Sequence, residues 1–166
     1  MNPQRITVHA TSVFLGPACV PFGAPVNGAV LLLGDSGSGK SDVALRLNAM
    51  GARIIADDCT SLFEDSGQLF AQAAEKQNGH MEIRGVGIAK MPAAGAGAVV
   101  LCVKLLKSEP PRLPERQHYI PDGMPLKAPP PLLQLDGWSP STPAKIAAAA
   151  VAFDTGSLFP ADGTFF

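Results

Sequence analysis

Apolar positions along this chain fall into short blocks separated by glycine, proline and polar turns. "RITVHATSVFLG", from Arg5 to Gly16, carries Ile6, Val8, Val13 and Phe14 and ends on a turn signal, which predicts a strand. "PACVPFGAPVNG" then predicts a turn-rich excursion. "AVLLLG" from Ala29 is continuously apolar, the pattern of a strand buried on both faces of a parallel sheet. Beyond a glycine-rich turn, Val43, Leu45, Leu47 and Met50 include the i, i+4, i+7 series of a helix face, with Gly51 placed to cap its C-terminus. "ARIIADD" follows at once as another apolar strand. Strand, turn, helix and strand in this order predict a βαβ unit with parallel strands and a right-handed crossover.

The segment "CTSLFEDSGQLFAQAAEKQNGHMEIRGVGIAKM" alternates short β-like pieces with polar turns, and "GAVVLCVKLL" is a further strand. "SEPPRLPERQHYIPDGMPLKAPPPLLQLD" reads as an ordered, irregular surface loop rather than a linker, because apolar residues recur inside it. Near the end Thr142 can cap a helix whose first turn holds Pro143 and whose body is "AKIAAAAVAF". No internal repeat is visible. The pattern as a whole predicts an α/β fold, a P-loop-containing domain with a βαβ phosphate-binding unit and a mixed β-sheet core.

Composition narrows the picture. With 166 residues, 46% hydrophobic and 16% charged, the chain can bury one substantial core, so residues 1–166 are expected to form one domain. Seventeen glycines and 16 prolines imply many turns, yet the regular apolar segments between them argue for order. The formal net charge of -1, without a basic block, makes nucleic acid an unexpected partner. No apolar run approaches the roughly 18 residues a membrane span needs, and no leader pattern opens the chain, so a cytoplasmic protein without a membrane partner is expected. Cys19, Cys59 and Cys102 are scattered and lack metal or redox spacing, so they read as buried or idle thiols.

The glycine turn carries the chemistry. Gly34, Gly39, Lys40 and Ser41 fit G-x-x-x-x-G-K-[ST], a phosphate-binding loop. Its residues Gly34, Asp35, Ser36, Gly37, Ser38, Gly39, Lys40 and Ser41 turn backbone N–H groups inward around phosphates, aided by the positive end of the following helix. Lys40 can neutralise β and γ oxygens, and Ser41 can offer its hydroxyl to magnesium, so ATP and Mg2+ are the expected cofactors. Asp57 and Asp58 stand at the tip of the next strand. Alternation along a strand sends neighbours to opposite sides, so one acid can face the metal and the other the attacking group. The plain alternative is that both merely cap the strand.

Three stretches, "GDSGSGKSD", "ADD" and "MEIRGVGI", together resemble the catalytic domain of HPr kinase/phosphorylase, which phosphorylates a serine of the phosphocarrier HPr. "EIRGVGI" is the specific signal, since phosphate loops are widespread. The resemblance runs from about Arg5 to Lys90 and more loosely to Phe153. It implies that Asp58 is the base toward the serine hydroxyl, with Asp57 left to the metal side, and that Glu82 joins Ser41 on the magnesium. His9 in "VHATS" matches an active-site histidine of the family, although a lone strand histidine is more commonly structural. His80 and His118 gain no such support and are expected in exposed turns. Arg112, with Arg116 next, is the candidate for the family's active-site arginine, while Arg84 is expected only to shape its loop.

Three departures accompany the resemblance. The chain begins almost at His9, as in truncated members from some proteobacteria; the connection from His9 to Gly34 is long; and "MPLKAPPPLLQLDGW" stands where many members carry a basic segment tied to dephosphorylation. The implied function is an ATP-dependent serine kinase for an HPr-like phosphocarrier of a regulatory phosphotransfer chain, with the reverse phosphorylase activity doubtful. Hexamers, as formed by full-length relatives, are the implied assembly. A small-metabolite kinase should show clustered arginines over the phosphates, which this chain lacks. A non-catalytic nucleotide switch would have no use for a base aimed at a hydroxyl.

Overall fold

Residues 4–17, 26–74 and 79–158 are described by a computed structural model of the chain. Most of the turn-rich excursion expected after Gly16 lies outside these residues. The strand expected from Arg5 to Gly16 breaks at Ala10 into β1 (Arg5–His9) and β2 (Thr11–Leu15). The two halves face different surroundings: β1 alternates between exposed and half-buried, whereas β2 is nearly buried throughout. Ala10 at the junction is fully buried, and its carbonyl accepts the Thr60 hydroxyl at 2.9 Å.

The apolar run forms β3 (Gly28–Leu33), followed by helix α1 (Lys40–Ala49) and β4 (Arg53–Ala56). Both β3 and β4 are antiparallel to β2, which lies between them. The βαβ unit is therefore present with a strand inserted, and β3 is parallel only to β9 (Ala96–Leu106) on its other side. Burial of β3 on both faces is as the apolar run predicts: Val30 and Leu32 join one core cluster, Ala29 and Leu31 the other. Opposite the Ala29/Val30 step, Val100 is an extra residue in β9. The bulge reverses which face the odd-numbered positions take, so Val99 joins one cluster while Leu101, Val103 and Leu105 join the other.

Helix α1 buries Val43, Ala44 and Leu47, while the expected Leu45 and Met50 are only half-buried. Gly51, at φ 103°, takes the left-handed position after the helix and donates to the Asn48 carbonyl at 3.0 Å, as its place in the sequence predicts. Strands β5 (Cys59–Asp65) and β6 (Gln68–Ala73) form a hairpin whose turn, Ser66-Gly67, has positive φ at both residues. β1 joins β5, and β6 joins β9. A separate two-stranded hairpin, β7 (His80–Ile83) and β8 (Gly87–Lys90), carries the "EIRGVGI" stretch.

The proline-rich stretch is more structured than a surface loop. It contains β10 (Gln117–His118) and β11 (Pro131–Asp136), and β11 pairs in parallel with β9. "PLLQLD" opens on the last of three consecutive prolines, which hid its strand character. His80 and His118 are exposed as expected, but on strands rather than in turns. Helix α2 (Thr142–Asp154) has Ser141 at its N-cap; Thr142 lies inside the first turn and donates its hydroxyl to the Asp136 carbonyl. Residues of α1 and α2 cover one face of the mixed sheet, with Leu47 and Ile146 fully buried. The other cluster gathers Leu62, Leu69 and Met124.

Candidate functional site

The end of β3, the glycine turn, the N-terminus of α1 and the residues after β4 meet in a cleft of about 570 Å3. Gly37 and Gly39 take φ of 77° and 99°, and Gly39 occupies the helix N-cap without a side-chain cap. The first-turn N–H groups of α1 have no intrahelical acceptors and are open to an anion. Lys40, only 7% exposed, donates from Nζ to the carbonyls of Gly34 at 2.7 Å and Asp35 at 3.0 Å. Burial holds its ammonium pKa below the usual lysine value, opposed by the charges of Asp58, Asp35 and Asp57. Among the described residues Ser38 Oγ, within the same loop, is buried without a hydrogen-bond partner.

A backbone clamp holds this loop. Gly39 lies against the Gly137 carbonyl, and a Cβ on Gly137 would stand 1.9 Å from the Ser38 carbonyl oxygen. Arg46 fixes residues 137–139 from the helix side, donating to the carbonyls of Gly137 at 3.0 Å and Ser139 at 3.1 Å, and also pairs with Asp42 at 2.8 Å.

The two acids face different surroundings, and strand alternation is not the reason. β4 ends at Ala56, so strand alternation does not reach them. Instead a three-residue turn, closed by Cys59 N–H on the Asp57 carbonyl at 2.9 Å, puts Asp58 at φ 71°, a strained conformation of the kind found at functional sites. Asp57 Oδ1 accepts from Ser41 Oγ at 2.7 Å and from Thr11 Oγ1 at 3.2 Å. Asp58 turns outward to His9, with Oδ1 3.2 Å from Nδ1, and their side chains are 71% and 52% exposed. Ser41 and Asp57, with Glu82 lining the same cleft, supply hard oxygen donors suited to magnesium. The unpartnered Ser38 hydroxyl and the open helix N-terminus fit a bound phosphate chain.

Of the residues singled out from sequence, His9, Ser36, Gly37, Gly39, Lys40, Ser41, Asp57, Asp58 and Glu82 line this one cleft, and Gly34, Asp35 and Ser38 complete its loop. Arg112 does not join them. It lies with Arg116 on a second cavity of about 1250 Å3, and the arginine on the cleft is Arg84. The proline-rich stretch gave Arg112 no register from which to place it, whereas Arg84 sits two residues after Glu82 on the hairpin. Trp138, 57% exposed and lining both cavities, was missed; its being the single tryptophan of the sequence, directly after Gly137, was the available signal.

Fold and site together define a P-loop α/β protein with a divided pair of acids at the strand tip. Residues 25–106 match the family model described as HPr Serine kinase C-terminal domain. The chain is 49% identical over 72 residues to the HPr kinase/phosphorylase of Geobacillus sp. (strain WCH70), covering 42% of this chain and 23% of that protein. To the HPr kinase/phosphorylase of Clostridium tetani it is 36% identical over 77 residues, 46% of this chain and 25% of that one. The matched region thus spans about a quarter of the length of these curated relatives. The solved structure of the Hpr(Ser) kinase/phosphatase from Coxiella burnetii has the same fold, with a TM-score of 0.68 over 92% of both chains at 21% identity. These matches relate the chain to the HPr serine kinase C-terminal domain, the family its motifs resemble. No helix among the described residues is long and apolar enough to cross a membrane.

Proposed function

We propose that residues 1–166 form a single catalytic domain that transfers phosphate from ATP to a serine of an HPr-like phosphocarrier protein. The observation that carries this reading is the division of the acids: Asp57 is engaged with Ser41 beneath the phosphate loop, while Asp58 faces the open mouth of the cleft beside His9. ATP bound with magnesium supplies the γ-phosphoryl group and the charge that screens its oxygens. The loop N–H groups and Lys40 align the phosphates; Ser41, Asp57 and Glu82 hold the cation. Asp58 accepts the serine proton as the oxygen–phosphorus bond forms, and the bond to the departing ADP breaks in line with it. His9, within hydrogen-bond distance, orients the Asp58 carboxylate. The exposure of Asp58 favours a hydroxyl presented on a protein surface over an enclosed metabolite.

The test is transfer of labelled phosphate from ATP to a purified HPr-like protein, with the phosphoserine located by mass spectrometry. Asp58→Asn keeps the shape and one acceptor oxygen but cannot take the proton, so transfer should fall by about 10² to 10⁴ while ATP binding stays within a few-fold. Asp57→Asn should weaken magnesium-dependent nucleotide binding as well. Transfer at the parent rate by Asp58→Asn rules out this base.

A further inference from the structure

Cys59 is the first residue of β5 and the register partner of His9 on β1. Directly opposed residues of an antiparallel pair present their side chains on the same face of the sheet. In a regular strand Asp58 would point to the other face, but its positive φ and the three-residue turn around it bring its carboxylate to His9. One imidazole nitrogen, one carboxylate oxygen and the Cys59 sulfur consequently lie within 4.8 Å of one another.

The geometry points to a binding site for a zinc-class divalent cation on His9, Asp58 and Cys59. Ligand atoms of a tetrahedral zinc centre stand about 3.5 Å apart, so closure asks for small rotations of the side chains. The exposure of His9 and Asp58 leaves room for them. Imidazole and thiolate select zinc-class ions, whereas the oxygen set of Ser41, Asp57 and Glu82 favours magnesium, so one cleft sorts two cations by ligand softness. Binding converts the Cys59 thiol to a thiolate and releases its proton to solvent. Three protein ligands leave a fourth position for water. An occupied site engages the Asp58 lone pair that would receive the serine proton; this inhibitory consequence rests on the kinase reading, while cation binding does not.

The test begins with cobalt(II) titrated into metal-free protein without nucleotide. A thiolate-to-cobalt charge-transfer absorption should grow to saturation, persist in Cys19→Ser and Cys102→Ser, vanish in Cys59→Ser, and be displaced by zinc. Zinc affinity in Cys59→Ser should fall by about 100-fold or more, since losing a direct ligand costs at least what losing a supporting contact does. Absence of the absorption in the parent, or its survival in Cys59→Ser, overturns the site. In excess magnesium, low zinc should then suppress phosphate transfer by the parent and leave Cys59→Ser transferring at its own zinc-free rate. Zinc binding without suppression overturns the link to Asp58. A zinc-free parent that transfers no phosphate in excess magnesium refutes the kinase reading, and the cobalt spectrum still decides the cation site.

Discussion

Lys40 is under two opposing electrostatic influences. Burial disfavours its ammonium and lowers its pKa from the usual 10.5, while Asp58, Asp35 and Asp57 pull it back up. Between the lowered folded value and 10.5 the unfolded chain binds more protons than the folded one, so fold stability contributed by this group rises with pH across that window. Affinity for ATP runs the other way, because the phosphates need the charged form. Nucleotide titrations should show binding present below the folded pKa and declining above it, while denaturant midpoints shift upward over the same interval. Lys40→Arg should stay charged and flatten both trends.

Two further elements shape the cleft. The β7–β8 hairpin is separate from the main sheet and anchored through buried Met81, with Glu82 exposed toward the cleft. Glu82→Gln keeps size but loses charge, so magnesium should bind more weakly and higher magnesium should restore part of the transfer rate. Failure of any magnesium concentration to restore activity assigns Glu82 a structural role instead. The loop after β11 is the second element. Any Cβ at Gly137 collides with the Ser38 carbonyl, so Gly137→Ala should displace the phosphate loop, cost about 1–3 kcal/mol in stability and weaken ATP binding. Calorimetric melting with and without nucleotide checks both effects.

At the scale of the whole molecule, the region after β9 differs from the basic segment that the family resemblance ties to dephosphorylation. Here it folds as β10, β11 and the covering residues Met124 and Leu126, which serve the core and the mixed sheet. A phosphoserine-bearing HPr-like protein incubated with inorganic phosphate should therefore be dephosphorylated slowly or not at all; rapid release of pyrophosphate contradicts this expectation. The second cavity, with Arg112 and Arg116, is lined largely by this same region and by no residue of the phosphate loop.

Local pattern was enough for β3, the glycine turn, α1 and the Gly51 cap, because each is specified by neighbours within a few residues: a continuous apolar run, glycines free to take positive φ, and helical spacing. The loop residues and the acids at Asp57 and Asp58 were legible for the same reason, and "EIRGVGI" singled out Glu82 through family resemblance. Long-range pairing lay beyond that reach. The break at Ala10, the insertion of β2 between β3 and β4, and the strand hidden behind the prolines all depend on which distant backbone offers hydrogen bonds. Tertiary structure also decided that Arg84 rather than Arg112 lies on the cleft. It turned Cys59, read from spacing as an idle thiol, into the partner of His9, because strand register brings together residues fifty positions apart that no local pattern relates.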